Sequence, residues 1–240
     1  MSATEEHEAT ARRERLVKLA SATAFLAIVV VAVLIVVDQS QTEGGDTSLE
    51  GVAVVEADLE GIPQRGLILG EPSAGVTLVE FGDLQCPACK AFAEDVVPQA
   101  IESKVRSGEA KIAFRNFTII GEESIDAAAA AIAAGAQGRG WNFVELFYRN
   151  QGFENSGYVN DDFLTEIARA AGVSDVKQWN RARQSQRTID RVAAERAEAE
   201  RLGFDGTPSF AVEGPTTDGL EALGTPDSAG DLESAIDEAG

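Results

Sequence analysis

The chain has 240 residues, 44% hydrophobic and 25% charged, and its 40 acidic against 20 basic side chains give a formal charge of -20; that is the composition of a folded protein, and its sign excludes a general nucleic-acid binder, which needs a basic surface. Two cysteines exclude a disulfide-rich scaffold and any four-cysteine metal site within one chain. The single histidine, His7, lies near the N-terminus, so a Ser-His-Asp triad would have to draw its base from there.

Glu5, Glu6, Glu8 and Glu14 cancel Arg12, Arg13, Arg15 and Lys18, so the whole net charge falls on residues 38–240 and reads as a solvated acidic surface. From Leu19 to Val37 no residue is charged. As a helix at ~1.5 Å per residue this run spans roughly 28 Å, close to the ~30 Å hydrocarbon core of a bilayer. Basic residues on its N-terminal side predict a cytoplasmic tail over residues 1–18 and an extracytoplasmic remainder. A cleaved signal peptide is the competing reading, but the apolar run is long and ends Val36-Val37-Asp38-Gln39 without small residues at cleavage spacing. The expectation is an uncleaved transmembrane anchor at 19–37 that contacts membrane lipid. Residues 38–60, almost without apolar content up to residue 50, are assigned to a linker, and 61–240 to one domain.

Val76-Thr77-Leu78-Val79-Glu80-Phe81 reads as a strand, bounded upstream by Glu71-Pro72 and Gly75. A helix is expected from Cys86 to about Arg106, kinked by Pro98, with Ser107-Gly108 as its stop. Residues 111–117 alternate as a second strand. Residues 122–202 look helical throughout, in segments 126–137, 141–150, 161–171, 174–183 and 187–202. Strands at 209–212 and 219–223 and a helix at 228–238 complete an α/β sheet with helices on both faces.

Both cysteines lie in Cys86-Pro87-Ala88-Cys89. One helical turn separates them, which brings the sulfurs within disulfide range. Cys86 then sits at a helix N-terminus, where unpaired N–H groups and the helix dipole favour a thiolate. Pro87 suits the first helical position, and Lys90 adds a cation, screened if exposed. A zinc site would need two more ligands, and the sequence beyond the apolar run supplies no other Cys and no His. Haem attachment would need His at position 90, which is Lys. An inert disulfide across so short a loop would add little stability.

The stretch Phe81-Gly82-Asp83-Leu84-Gln85-Cys86-Pro87-Ala88-Cys89 resembles the active site of thioredoxin-fold, DsbA-like thiol:disulfide oxidoreductases. Gly206-Thr207-Pro208-Ser209-Phe210 resembles that family's cis-proline loop, and the helical block between them resembles its helical insertion, about residues 121–202. The resemblance covers about residues 61–240. It implies a thioredoxin-like fold with Cys86 as exposed nucleophile, Cys89 as buried resolving thiol and Pro208 packed beside them. It also implies that the backbone at Thr207 pairs with an extended substrate. Glu80, six residues before Cys86, matches the family's buried acid; strand alternation puts it opposite Val79 and Phe81 but does not settle which face is buried. Alanine between Pro87 and Cys89 replaces the histidine of well-known relatives, removing one stabiliser of the thiolate.

The activity so implied is oxidation of exported proteins that carry free thiols, with no bound cofactor or metal and with reoxidation by a quinone-linked membrane partner, DsbB-like or vitamin-K-epoxide-reductase-like. The alternatives are a reductase of the cytochrome-maturation type, whose members usually carry Trp where Gln85 stands, and a non-catalytic adaptor, whose members usually lose a cysteine.

Overall fold

The computed structural model describes residues 49–240. The tail and anchor readings for residues 1–37, and the first part of the linker, lie outside them. Among the described residues no helix is long and apolar enough to cross a membrane.

A six-stranded sheet of order β1-β2-β4-β3-β5-β6 organises residues 49–240. β1 (Gln64–Arg65) and β2 (Ile68–Leu69) form a short hairpin, and β2 pairs antiparallel with β4 (Ala110–Asn116). β3 (Val76–Gly82) occupies the centre, parallel to β4 and antiparallel to β5 (Ser209–Glu213). β6 (Glu221–Gly224) closes the other edge. The parallel β3–β4 pair requires a crossover, which the helices after Cys86 supply. In register, Glu80 of β3 sits between Phe114 of β4 and Phe210 of β5.

The sheet is covered on both faces, so β3 is buried at nearly every position rather than alternately. Val79 and Phe81 join Ala113, Phe117, Ala199 and Ala211 in a small cluster on one face. Leu78, Ile112, Phe114 and Phe210 belong to the main core, with Cys89 and Ala93. By strand period, Glu80 shares the Leu78 face.

The crossover is more broken than a single kinked helix. α2 (Pro87–Asp95) ends at Val96, α3 (Val97–Ala100) restarts there, and Ile101–Val105 is π-wound, with Arg106 N–H donating to Ile101 O. Pro98 has no N–H to continue the α2 ladder, so the chain re-registers around it. Between β4 and β5 run α4 (Glu122–Gly135), α5 (Gly140–Arg149), α6 (Asp161–Ala170), α7 (Val176–Arg183) and α8 (Gln186–Arg201), close to the expected segments. Alanines 127–131, 133 and 134 are buried, letting α4 pack closely against α5 and α7. Trp141 and Trp179 are fully buried, and each indole N–H finds a carbonyl, on Leu67 and Ala130 respectively. The last helix of the chain (Ala229–Ala239) packs on β3 and β5.

Residues 49–60 correct the linker assignment. The compact unit begins at Leu49, and α1 (Val52–Leu59) buries Val55 and Leu59 while packing against α5. In sequence these residues follow a polar stretch and are too few to show a helical period. The hairpin was likewise missed, because strands of two residues have no alternation to read.

Candidate active site

The site is built at the C-terminal end of β3, where the chain leaves the sheet and enters α2. Gly82 is required there. A β-carbon at that position would stand 2.7 Å from the Phe114 ring and 2.9 Å from the Tyr148 hydroxyl. Asp83 is fully buried and turns the chain: one carboxylate oxygen accepts from Gln85 N–H (2.9 Å), the other from the N–H groups of Ile119 (2.8 Å) and Ile120 (3.0 Å). Gln85, also inaccessible, donates to Ser124 Oγ (2.9 Å) and accepts from Asn155 N–H (2.8 Å). Gln151 donates to Leu84 O (2.7 Å) and Cys86 O (3.2 Å). These bonds fix the approach to Cys86 from α4 and from the loop after α5.

Cys86 is the N-cap of α2, with Pro87 at the first helical position as the sequence predicted. Its Sγ accepts from Cys89 N–H at 3.4 Å. Cys89 lies one turn on, fully buried, while Pro87 and Ala88 between them are exposed. Both cysteines are free thiols and both are buried; Cys86, which the resemblance implied to be exposed, is only 7% accessible, because it caps α2 against Thr207 of the cis-proline loop. Phe92 of α2 packs on Phe210 of β5 with ring centroids 5.8 Å apart, holding the helix over the strand that follows Pro208.

The Thr207-Pro208 peptide is cis, and Pro208 is buried. Thr207 O lies 3.4 Å from Cys86 Sγ, accepting from the thiol. The two motifs, 121 residues apart in sequence, therefore meet at the reactive sulfur. Lys90 is turned towards Glu94 (3.9 Å) and is not among the groups that set the Cys86 charge.

The two thiols are driven in opposite directions. Cys86 is lowered to about 6. The Cys89 thiol, which hydrogen-bonds to it, has the largest effect; partial burial opposes, and the Thr207 side chain and the N–H groups of Cys89 and Ala88 help. Donation to Thr207 O is the one contact named here that favours the protonated form. Cys89 is raised well above the ordinary thiol range by burial, by its bond to Cys86 and by the charges of Cys86 and Glu80.

Glu80 of β3 is 2% exposed, and its Oε1 finds no hydrogen-bond partner among the described residues. Burial, then the charges of Glu145 and Cys86, push its carboxyl up to about 8. Of the five residues singled out from sequence, the structure brings Cys86, Cys89, Thr207 and Pro208 together around one sulfur and places Glu80 within electrostatic reach of both cysteines. Sequence reading gave no place in the site to Asp83, Tyr148, Gln151 or Glu145, and used Gln85 only to set the chain apart from reductases. Asp83 and Gln85 carried a signal, two polar side chains between a buried strand and a helix N-terminus. Glu145 carried another, a lone acid inside Phe143-Val144-Glu145-Leu146-Phe147.

Residues 64–238 match the thioredoxin family. A probable disulfide bond formation protein D from Bacillus cereus is 32% identical over 149 residues, 61% of this chain and 69% of that protein. The oxidised form of BdbD from Bacillus subtilis superposes with a TM-score of 0.64 at 20% identity, over 74% of this chain and 97% of that one. A thioredoxin-like oxidoreductase from Silicibacter pomeroyi superposes with a TM-score of 0.58 at 31% identity, over 77% and 96%.

Proposed function

Because this chain belongs to the thioredoxin family, as a DsbA-like thiol:disulfide oxidoreductase, we propose that its Cys86-Pro87-Ala88-Cys89 pair donates a disulfide to exported proteins outside the cytoplasm. The observation that carries this reading is the opposition of the two thiols, Cys86 held low and Cys89 held high.

In the oxidised enzyme a client thiolate attacks Cys86 Sγ. The Cys86–Cys89 bond breaks, a client–Cys86 bond forms, and Cys89 leaves as a thiolate that takes a proton. A second client thiolate then attacks the client sulfur of this mixed disulfide, the client disulfide forms, and Cys86 leaves as a thiolate. Two client thiols are oxidised and the enzyme pair is reduced by the same two electrons. The lowered Cys86 makes it the better leaving group and stabilises the reduced enzyme, which favours the oxidase direction over the reductase. Glu80 supplies and removes the Cys89 proton, because bulk water does not reach a fully buried sulfur. The Thr207 backbone, beside Cys86, pairs with the extended client, and Pro208 shields the sulfurs from behind.

Residues 19–37 would anchor the domain in the membrane, with 1–18 in the cytoplasm and a tether from residue 38 to the folded unit at Leu49. The reduced pair would then return its electrons to a quinone-linked membrane oxidase, DsbB-like or vitamin-K-epoxide-reductase-like. The tethering predicts that the full chain stays with membranes through carbonate extraction; a soluble form beginning near residue 38 contradicts it.

Peptide-oxidation turnover tests the chemistry. Cys86→Ala is expected to abolish it, and turnover equal to the wild type in that variant would overturn the reading in favour of a binding module.

A further inference from the structure

Glu145 stands in the middle of α5, which packs against α1 on one side and α2 on another. It is 6% exposed, and among the described residues its carboxyl has neither a hydrogen-bond donor nor an ion pair. Arg149, one turn along the same helix, pairs instead with Asp58 of α1 (3.7 Å). What Glu145 does meet is a cavity of about 400 Å3, near the lower end of the ~300–1,000 Å3 of small-molecule pockets. Val55 and Leu59 of α1 and Pro98 and Ile101 of the broken crossover give it apolar walls. Ala57, Asp58, Glu102 and Arg106 also line it and are exposed, so it opens to solvent. Neither cysteine nor the Thr207-Pro208 loop contributes to it.

We propose that this cavity binds an organic ammonium ion, a protonated amine on a short apolar chain, with the ammonium paired to Glu145 and the chain laid against Val55, Leu59, Pro98 and Ile101.

The ligand class follows from what faces the cavity. The cations around Glu145 are already committed. Arg149 is held by Asp58, and Arg106 by Glu102 (2.7 Å) and by the carbonyls of Asp58 (2.8 Å) and Glu60 (3.1 Å). An anion would meet the Glu145 charge with no free cation to receive it. A neutral molecule would leave a buried carboxylate without a counter-charge. A metal ion needs several oxygen ligands in one place, and no group of three suitable side chains stands together among the described residues. An ammonium brings one positive charge and N–H donors to a single carboxylate, and its alkyl chain buries apolar surface against the walls. A free amine and the side chain of a lysine on another polypeptide share this chemistry.

Binding is coupled to a proton. Burial raises the Glu145 carboxyl to about 8; Arg149 opposes, and Asp58 from α1 and Glu94 from α2 add to the rise. Glu102 and Arg106 face it from the crossover, and Glu80 of β3 feels its charge. At pH 7 the carboxyl therefore carries a proton, which the arriving ammonium displaces to solvent. Affinity should rise about tenfold between pH 7 and 9, as Glu145 passes from mostly protonated to mostly ionised while an alkylamine stays charged up to about pH 10.

Calorimetric titration of the full chain with n-pentylamine, at both pH values and in two buffers of different ionisation heat, reads affinity and proton release together. Saturable binding is expected, with release of about one proton at pH 7 and the tightening at pH 9. n-Pentanol, a chain of the same length without the charge, should bind at least about tenfold more weakly. Glu145→Gln should weaken pentylamine by about tenfold or more at pH 9 and abolish both the proton release and the pH dependence. Should Glu145→Gln not fold, Ala57→Trp, which fills the cavity from α1 and keeps the carboxylate, must weaken pentylamine by a like factor. The peptide acetyl-Ala-Lys-Ala-amide separates the two sources: tighter binding than pentylamine assigns the site to a lysine of another polypeptide, weaker binding to a free amine. Lack of saturable pentylamine binding up to about 50 mM, wild-type binding in the variant that folds, or pentanol bound as tightly as pentylamine each overturns the site.

Discussion

Glu195 and Glu80 are both nearly inaccessible, at 6% and 2% exposure, and the chain treats them in opposite ways. At the end of β4, Glu195 of α8 accepts from Asn116 N–H (3.0 Å) and Asn116 Nδ2 (2.7 Å) on one oxygen, and from Arg191 Nε (2.8 Å) on the other. At the centre of β3, Glu80 keeps an oxygen without a partner and is pushed up to about 8. Asp83, three residues on, again has three N–H donors. A buried acid whose bonds are complete ties elements together. One whose bonds are left incomplete raises the energy of its charged form and so titrates nearer neutral pH, which is what the proton transfer proposed for Glu80 requires.

The largest effect that would break this comparison is at Glu195. Glu195→Ala strands the Asn116 donors in a buried setting and should destabilise the domain by about 2–4 kcal/mol in denaturant unfolding, with turnover of the folded protein unchanged. A change below about 0.5 kcal/mol would remove the contrast with Glu80.

The expected change at Glu80 is smaller and has the other sign. Its folded value, about 8, lies above the ordinary 4.5, so the folded protein binds more protons than the unfolded chain between those limits. The stabilisation from Glu80 is complete below about pH 4.5 and is lost as pH rises to about 8. Glu80→Gln removes that loss and should stabilise the domain at pH 8 by about 1–3 kcal/mol. It should also flatten the fall of stability with pH by as much as about 1.4 kcal/mol per unit, while thiol exchange at Cys89 slows. Unfolding measured at several pH values reads all of this, and coincident curves for the two proteins would make Glu80 an ordinary strand residue.

How much of this was legible in the sequence follows the same division. Cys86, Cys89 and the Thr207-Pro208 loop were visible because each announces its chemistry in a few adjacent residues. The helices of 122–201 were visible because their periods are long. Which face Glu80 occupies was not decidable, since β3 is covered on both sides and its burial does not alternate. Glu145 and Glu195 look alike as letters in helices; only the Asn116 amides that meet one, and the cavity beside the other, tell them apart. Both are consequences of strand order, in which β4 and β3 lie between the hairpin and β5, and no local pattern encodes that order.

The central claim is that one fold drives two neighbouring thiols in opposite directions. Alkylation of the reduced protein by iodoacetamide as a function of pH, read at each cysteine by mass spectrometry, tests it directly. The account predicts that Cys86 labels with a midpoint of about 6 while Cys89 stays unlabelled until far higher pH. Labelling of both cysteines together, with one midpoint near the free-thiol value of about 8.5, would contradict it.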